Sequence, residues 1–210
     1  MPPLGIDHIF IMTSAGAPGA DRLREFGLAE GAPNRHTGQG TSCRRFFLRN
    51  AMLELLWVED EADVRGGAVR RTHLWEHWSR RDSGASPFGV ILRGGQGSPF
   101  ASWEYRNAGV PGFAIDVAED TLLEEPLWFY FAQTFPPSVQ PREHACGFRD
   151  LTGVRIVGPA LPEYSLTMSM ARDGVVAVAA GAPLLELEFD GGSGHAVDFL
   201  PGLPLRFRWP

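Results

Sequence analysis

The sequence predicts an α+β fold in which short strands outnumber helices. Two observations carry this prediction. Short apolar and β-branched runs recur along the chain between Gly, Pro and Asp turns, and few segments have helical spacing. The chain also resembles itself. A strand opening Gly5-Ile-Asp-His-Ile-Phe-Ile is echoed by Gly153-Val-Arg-Ile-Val-Gly. Ala51-Met-Leu-Glu-Leu-Leu-Trp-Val is echoed by Ala182-Pro-Leu-Leu-Glu-Leu-Glu-Phe. The two elements lie closer together in the second half, so a repeat unit there is abbreviated.

Residues 5–13 read as the first strand, and Pro18 to Phe26 as a short helix stopped by Gly27. Strands at 41–48 and 51–58 are joined by a tight turn at Arg49-Asn50. A charged stretch, 59–65, leads into a helical segment from Arg70 to Arg80. Phe88 to Arg93 is a strand. Residues 94–112, rich in Gly, Ser, Asn and aromatics, read as a long structured loop. Phe113 to Val117 is a short strand, and Leu122 to Phe131 is open between strand and helix. Pro-rich residues 136–141 form the linker. It divides a first module with an inserted helix and loop region (1–135) from an abbreviated second module (136–210). Strands follow at 153–158, 165–171, 174–179, 183–189 and 204–209.

Composition excludes several classes. The formal net charge is −6, which argues against a nucleic-acid partner. The short basic pairs, Arg44-Arg45 and Arg70-Arg71, read as solvated faces. No run of about 18 or more apolar residues is present, so no membrane span is expected. The first residues lack a basic segment followed by an apolar stretch, so no secretion signal is expected. Cys43 and Cys146 make no disulfide framework, and a reducing cytoplasm is the expected location. All 19 basic residues are arginine, which fits a GC-rich bacterial genome and excludes Schiff-base lysine chemistry.

Within this frame two residues are misplaced. Strand alternation puts Ile6, His8, Phe10 and Met12 on one face and Asp7, Ile9 and Ile11 on the other. His8 therefore shares a face with apolar neighbours. Glu54, in Met52-Leu-Glu-Leu-Leu56, does the same. A carboxylate on an apolar face is costly unless it is paired, hydrogen-bonded or bound to metal. Imidazole and carboxylate together suit zinc, iron, manganese or nickel. Glu186 is the matching misfit in the second half. The other reading is a buried His–Glu hydrogen bond, or an open sheet face where both residues are wet.

The motifs Gly5-Ile-Asp-His8, His36-Thr-Gly-Gln-Gly-Thr41 and Leu53-Glu-Leu55 resemble the glyoxalase-like branch of the vicinal oxygen chelate superfamily. Glu143-His-Ala-Cys-Gly147 with Leu151-Thr-Gly-Val154 is similar to the turn before the second module in that branch. The resemblance implies paired βαβββ modules curled into a cup, the second abbreviated. It implies a divalent metal (Zn, Mn, Ni or Fe) held by His8, Glu54 and Glu186, with Glu186 as third ligand or general base. Its fourth ligand position falls on Ile156, which cannot coordinate. In the loop, His36, Gly38, Gly40 and Thr41 are candidates for substrate contact, because glycines allow close backbone approach and free N–H groups hold anions.

Other constellations are less demanding. His73-Leu-Trp-Glu-His77 spells an inverted zinc-protease motif, yet Leu74, Trp75 and Trp78 explain it as a packing face. His144 beside Cys146 reads as a turn, and His195 with Asp198 as turn chemistry. Among Trp103, Tyr105, Trp128, Phe129, Tyr130 and Phe131, most read as core, with one or two reaching a cavity.

The expected function is that of a metal-dependent lyase, isomerase or dioxygenase of the glyoxalase type, acting on a small oxygen-bearing metabolite. The alternative is a metal-free protein of the same fold that binds or sequesters a small molecule. A homodimer is expected from symmetric pairing.

Overall fold

The computed structural model describes residues 3–107, 109–110, 112–132, 139–190 and 194–210. The chain starts with β1 (Gly5–Met12), α1 (Gly19–Phe26), β2 (Asn34–His36), β3 (Thr41–Phe47) and β4 (Met52–Val58). Gly27 ends α1 in the left-handed region, at φ 112°, which glycine reaches without steric cost. Two short helices, α2 (Glu61–Arg65) and α3 (Leu74–Ser79), follow, with a 3-10 turn between them. Then come β5 (Phe88–Arg93), β6 (Ser102–Arg106), β7 (Ala114–Ala118) and β8 (Leu127–Phe131). These eight strands form one curled sheet ordered β2-β3-β4-β1-β5-β8-β7-β6. It is built from two βαβββ-type motifs, joined through antiparallel β1 and β5. The second motif, β5 to β8, carries no helix among its described residues.

The α+β architecture of βαβββ-like modules is thus as expected, but the modules are partitioned differently. The sequence reading starts the second module at 136, whereas the cup's second motif is complete by Phe131. Of the expected linker, residues 136–138 lie outside the described residues. The rest of the chain forms β9 (Leu151–Gly158), α4 (Leu166–Arg172), β10 (Ala177–Ala180), β11 (Leu184–Phe189), β12 (His195–Asp198) and β13 (Leu205–Trp209). Its sheet order is β10-β9-β11-β13-β12. Reading across, these strands pair parallel, antiparallel, parallel, antiparallel. The central strands β4-β1-β5-β8-β7 of the first sheet pair in the same succession. The C-terminal sheet is therefore a reduced copy of the whole first sheet. The match of β1 with β9 is topologically sound. The match of Glu54 with Glu186 is not, since β4 corresponds to β10 and β11 to β5. Leu-Glu-Leu recurs because both strands have one buried face.

Three further elements differ from expectation. Residues 102–106 are a strand, not loop, because Ser102–Arg106 pairs along its length with β7. Residues 195–198 likewise form a strand against β13. Residues 165–171 are helix rather than strand. Ser165 caps α4 by accepting from the Met168 N–H, and Met170 turns into the core.

The main core lies between the two sheets. Ile9, Leu53, Leu55 and Val90 of the first sheet face Leu185 and Phe207 of the second. Phe148 stacks on Phe189 with centroids 4.2 Å apart, and Phe26 meets Phe207 edge-on at 5.8 Å. The seam is also tied by polar contacts. Trp128 Nε1 donates to Thr167 Oγ1 at 3.0 Å, and the buried Glu125 carboxylate accepts from the Thr167 N–H at 2.7 Å. The opposite face of the first sheet is the cup. Phe10, Leu56, Ile91 and Phe129 belong to its separate apolar cluster.

Candidate metal and ligand site

The cup opens into a cavity of about 1210 Å³, lined by residues of both motifs. Its two halves differ in chemistry. On the second-motif side the wall includes Ile91, Tyr105, Ile115, Phe129 and Phe131. On the first-motif side the wall includes His36 on β2, Glu54 on β4 and His8 on β1, while Cys43 on β3, between β2 and β4, is buried and does not line it.

The two misfits meet as the alternation argument requires. Leu53 and Leu55 enter the main core, while Glu54 turns into the cup, 5% exposed. His8 Nε2 stands 3.9 Å from Glu54 Oε2, too far for a hydrogen bond. The other imidazole nitrogen, Nδ1, lies 2.7 Å from Asp7 Oδ1. That contact departs from simple alternation, which sends Asp7 to the opposite face. The β1–β5 register shifts between Ile6 and His8, so Asp7 occupies a β-bulge. Bulges re-aim side chains, and here Ile6 packs with the main core while Asp7 reaches His8. Arg93 adds an ion pair to Asp7 at 3.2 Å. Burial alone would raise the Asp7 carboxyl, but the His8 hydrogen bond and charge, with Arg93, bring it below the usual carboxylate range. The Asp7 contact engages Nδ1, so Nε2 is the ring nitrogen turned toward Glu54.

Cys43 is the residue that sequence reading missed. Its thiol, fully buried, donates to Glu54 Oε1 at 3.4 Å. Burial and then the Glu54 charge push the thiol far above its usual range, so it is protonated. His36 is held by a 2.9 Å contact between Nδ1 and Thr41 Oγ1, while Gln39 Nε2 donates to the same hydroxyl at 2.9 Å. Burial lowers the His36 pKa, with Glu54 opposing and His8 and Arg45 assisting; the ring is neutral. His36, Cys43 and Glu54 each bring a donor atom to within 4.8 Å of the others, so this buried group can coordinate a divalent ion. The signal for Cys43 was present in the sequence. A tight turn at Arg49-Asn50 pairs Arg45 with Glu54 and Cys43 with Leu56, which places Cys43 diagonal to Glu54.

The remaining candidates fall elsewhere. Glu186 is on β11 of the other sheet, outside the cavity and remote from His8 and Glu54 in the topology. It accepts from Arg206 Nη1 at 2.8 Å and pairs with Arg155 Nε at 3.4 Å; Arg206 also binds Asp198. Its misfit is resolved by this cross-strand charge ladder. Ile156 is core, 5% exposed. Gly38 and Gly40 have φ of 76° and 75°, so both meet a backbone demand of the hairpin. A Cβ on Gly40 would lie 2.4 Å from the Asp60 carbonyl oxygen, and one on Gly38 would lie 3.2 Å from Asn107 Oδ1. The close approach they permit is therefore to the chain itself, and neither lines the cavity. Thr41 is buried and serves as His36's partner.

His144 joins Ala29 N–H to the Phe47 carbonyl, and His195 stacks on Trp209. His77 binds the Ser86 carbonyl at 2.9 Å, whereas His73 is exposed, so the two do not form a metal pair. Arg44 pairs with Glu30 and Asp21, but Arg45 is half-buried at the cavity rather than solvated.

No family model matches the chain, and no curated protein matches it. Among solved structures, a hypothetical protein from Staphylococcus aureus is similar, with a TM-score of 0.53 at 12% identity. The match covers 99% of this chain and 100% of that one. At that identity the likeness is one of fold. The curled α+β sheet and its His/Cys/Glu cluster are consistent with a vicinal-oxygen-chelate-like fold. No helix among the described residues is long and apolar enough to cross a membrane.

Proposed function

We propose that this protein is a metal-dependent enzyme of the glyoxalase type, a lyase, isomerase or dioxygenase acting on a small oxygen-bearing metabolite. One observation carries the reading. Among the described residues, buried Glu54 accepts only from a thiol, at 3.4 Å, and it stands 3.9 Å from His8 of the adjacent strand on the cavity wall. A carboxylate left in that state costs stability that packing does not return, as expected where function holds it. Neutral imidazole and carboxylate are suitable donors for a divalent ion. Such an ion supplies Lewis acidity to a substrate oxygen. The apolar half-wall would hold the substrate's carbon skeleton and exclude water, and the Asp7 contact would keep His8 Nε2 turned to the reacting side.

A metal-free binding protein is favoured by one contrary observation: Ile91 on β5, beside β1, and Phe129 on β8, beyond β5, offer no ligand atoms. Elemental analysis of protein purified without a metal-affinity tag separates the two. The enzyme reading expects one divalent ion per chain, lost in Glu54→Gln. No bound ion, and no thermal shift with Zn, Mn, Ni or Fe(II), would leave the binding protein.

A further inference from the structure

We infer that the metal is held within the first motif alone, by His36, Cys43 and Glu54, and that the Cys43 sulfur makes the site selective for zinc or ferrous iron over manganese and magnesium. The inference rests on the metal-dependent reading and sharpens it. A site shared between the two motifs would draw donors from β1, β4, β5 and β8, but β5 and β8 present Ile91 and Phe129 to the cup. The donors missing there are supplied on the other side of Glu54. His36 and Cys43 sit on the two strands beyond β4, and their donor atoms lie within 4.8 Å of one another and of Glu54. Three ligands at about 2.0–2.3 Å from a tetrahedral ion stand about 3.3–3.8 Å apart. Side-chain rotation would have to close the remaining distance when the ion binds.

The position of the thiol supports the assignment. Cys43 has no exposed surface, and its hydrogen bond goes to the carboxylate that would share the ion. When the ion binds, the thiol proton leaves to solvent and a sulfur–metal bond replaces the S–H bond, with no change in oxidation state. Thiolate is a soft ligand that suits zinc and ferrous iron, while magnesium and manganese prefer oxygen. Three protein ligands leave a fourth tetrahedral position open, the arrangement of catalytic rather than structural zinc sites, and two of them, His36 and Glu54, line the cavity.

The test uses the full, untagged chain, stripped with a chelator and titrated with Co(II). A thiolate-to-cobalt charge-transfer band in the near-ultraviolet is expected in the wild type and in Cys146→Ser. It should be absent in Cys43→Ser, with affinity weakened by more than roughly tenfold, a loss that removing even an outer-shell partner produces. Zinc should displace cobalt, and manganese should not. X-ray absorption of the zinc-loaded wild type needs no variant and should show one sulfur at about 2.3 Å. Cobalt bound without a sulfur signature, or unaffected by Cys43→Ser, overturns this ligand set while leaving metal-dependent function standing. No binding of cobalt or zinc by the wild type overturns both.

Discussion

Replacing Glu54 by glutamine should make the metal-free protein more stable while abolishing its metal binding. The side chain is 7% exposed. Among the described residues, one oxygen receives only a thiol hydrogen bond at 3.4 Å, and the other has its nearest ion-pair partner, His8, at 3.9 Å. A buried carboxylate with so few donors is costly, and the Arg45 side chain opposite it in the register offsets only part of that cost. Glutamine keeps the volume, removes the charge and can donate to His8 Nε2. The expected gain is about 2 kcal/mol, within the ~1–3 kcal/mol range for an unsatisfied buried polar group. A chain of this size gains about 2–4 °C in Tm per kcal/mol, so a rise of about 4–8 °C is expected. The assay is urea and thermal unfolding in the presence of a chelator. A loss of about 1 kcal/mol or more would refute the reasoning, because it would mean that the carboxylate is a satisfied structural group.

Four other outcomes follow from the same geometry. Zinc at about 100 times its Kd should stabilise the wild type by about 2.7 kcal/mol and Glu54→Gln by nothing measurable, read as a Tm shift. Glu186→Gln should cost only about 1 kcal/mol, since its arginine partners are partly exposed and Arg206 keeps Asp198; metal binding should be unchanged by elemental analysis. Gly89→Ala should cost about 1–3 kcal/mol by urea unfolding, because its Cβ would lie 2.0 Å from Phe10 Cζ. Burial lowers the pKa of His77, and likewise of His36 and His144, below the ordinary 6.5. The unfolded chain therefore takes up these protons first. Stability is full above about pH 6.5 and falls as pH drops below it, and His77→Asn should flatten that slope in unfolding curves measured across pH.

Much of the cup was legible because strand alternation is strict. Leu53 and Leu55 in the core force Glu54 to the other face, and Ile9 and Ile11 do the same for His8. Alternation failed at Asp7, where a single extra residue reverses the faces and leaves no mark in composition. Helix α4 was misread because Leu-Thr-Met-Ser-Met suits either state, and the Ser165 cap with the Met170 contact decides it. Glu186 shows the same limit from the other side. A buried carboxylate in a strand looks alike in sequence whether it faces an open cavity or two arginines.

The strand-rich class, the faces of most strands and the placement of two polar side chains, His8 and Glu54, among apolar neighbours are all legible in the sequence alone. These follow from local period and the cost of burying charge. The tertiary structure alone decided which strands became neighbours. It paired β1 with β5, closing the cup within residues 5–131, and it set β2 and β3 beside β4, bringing His36 and Cys43 to Glu54. Strand order is a long-range property, set by which apolar faces can bury one another, and no short window of residues encodes it.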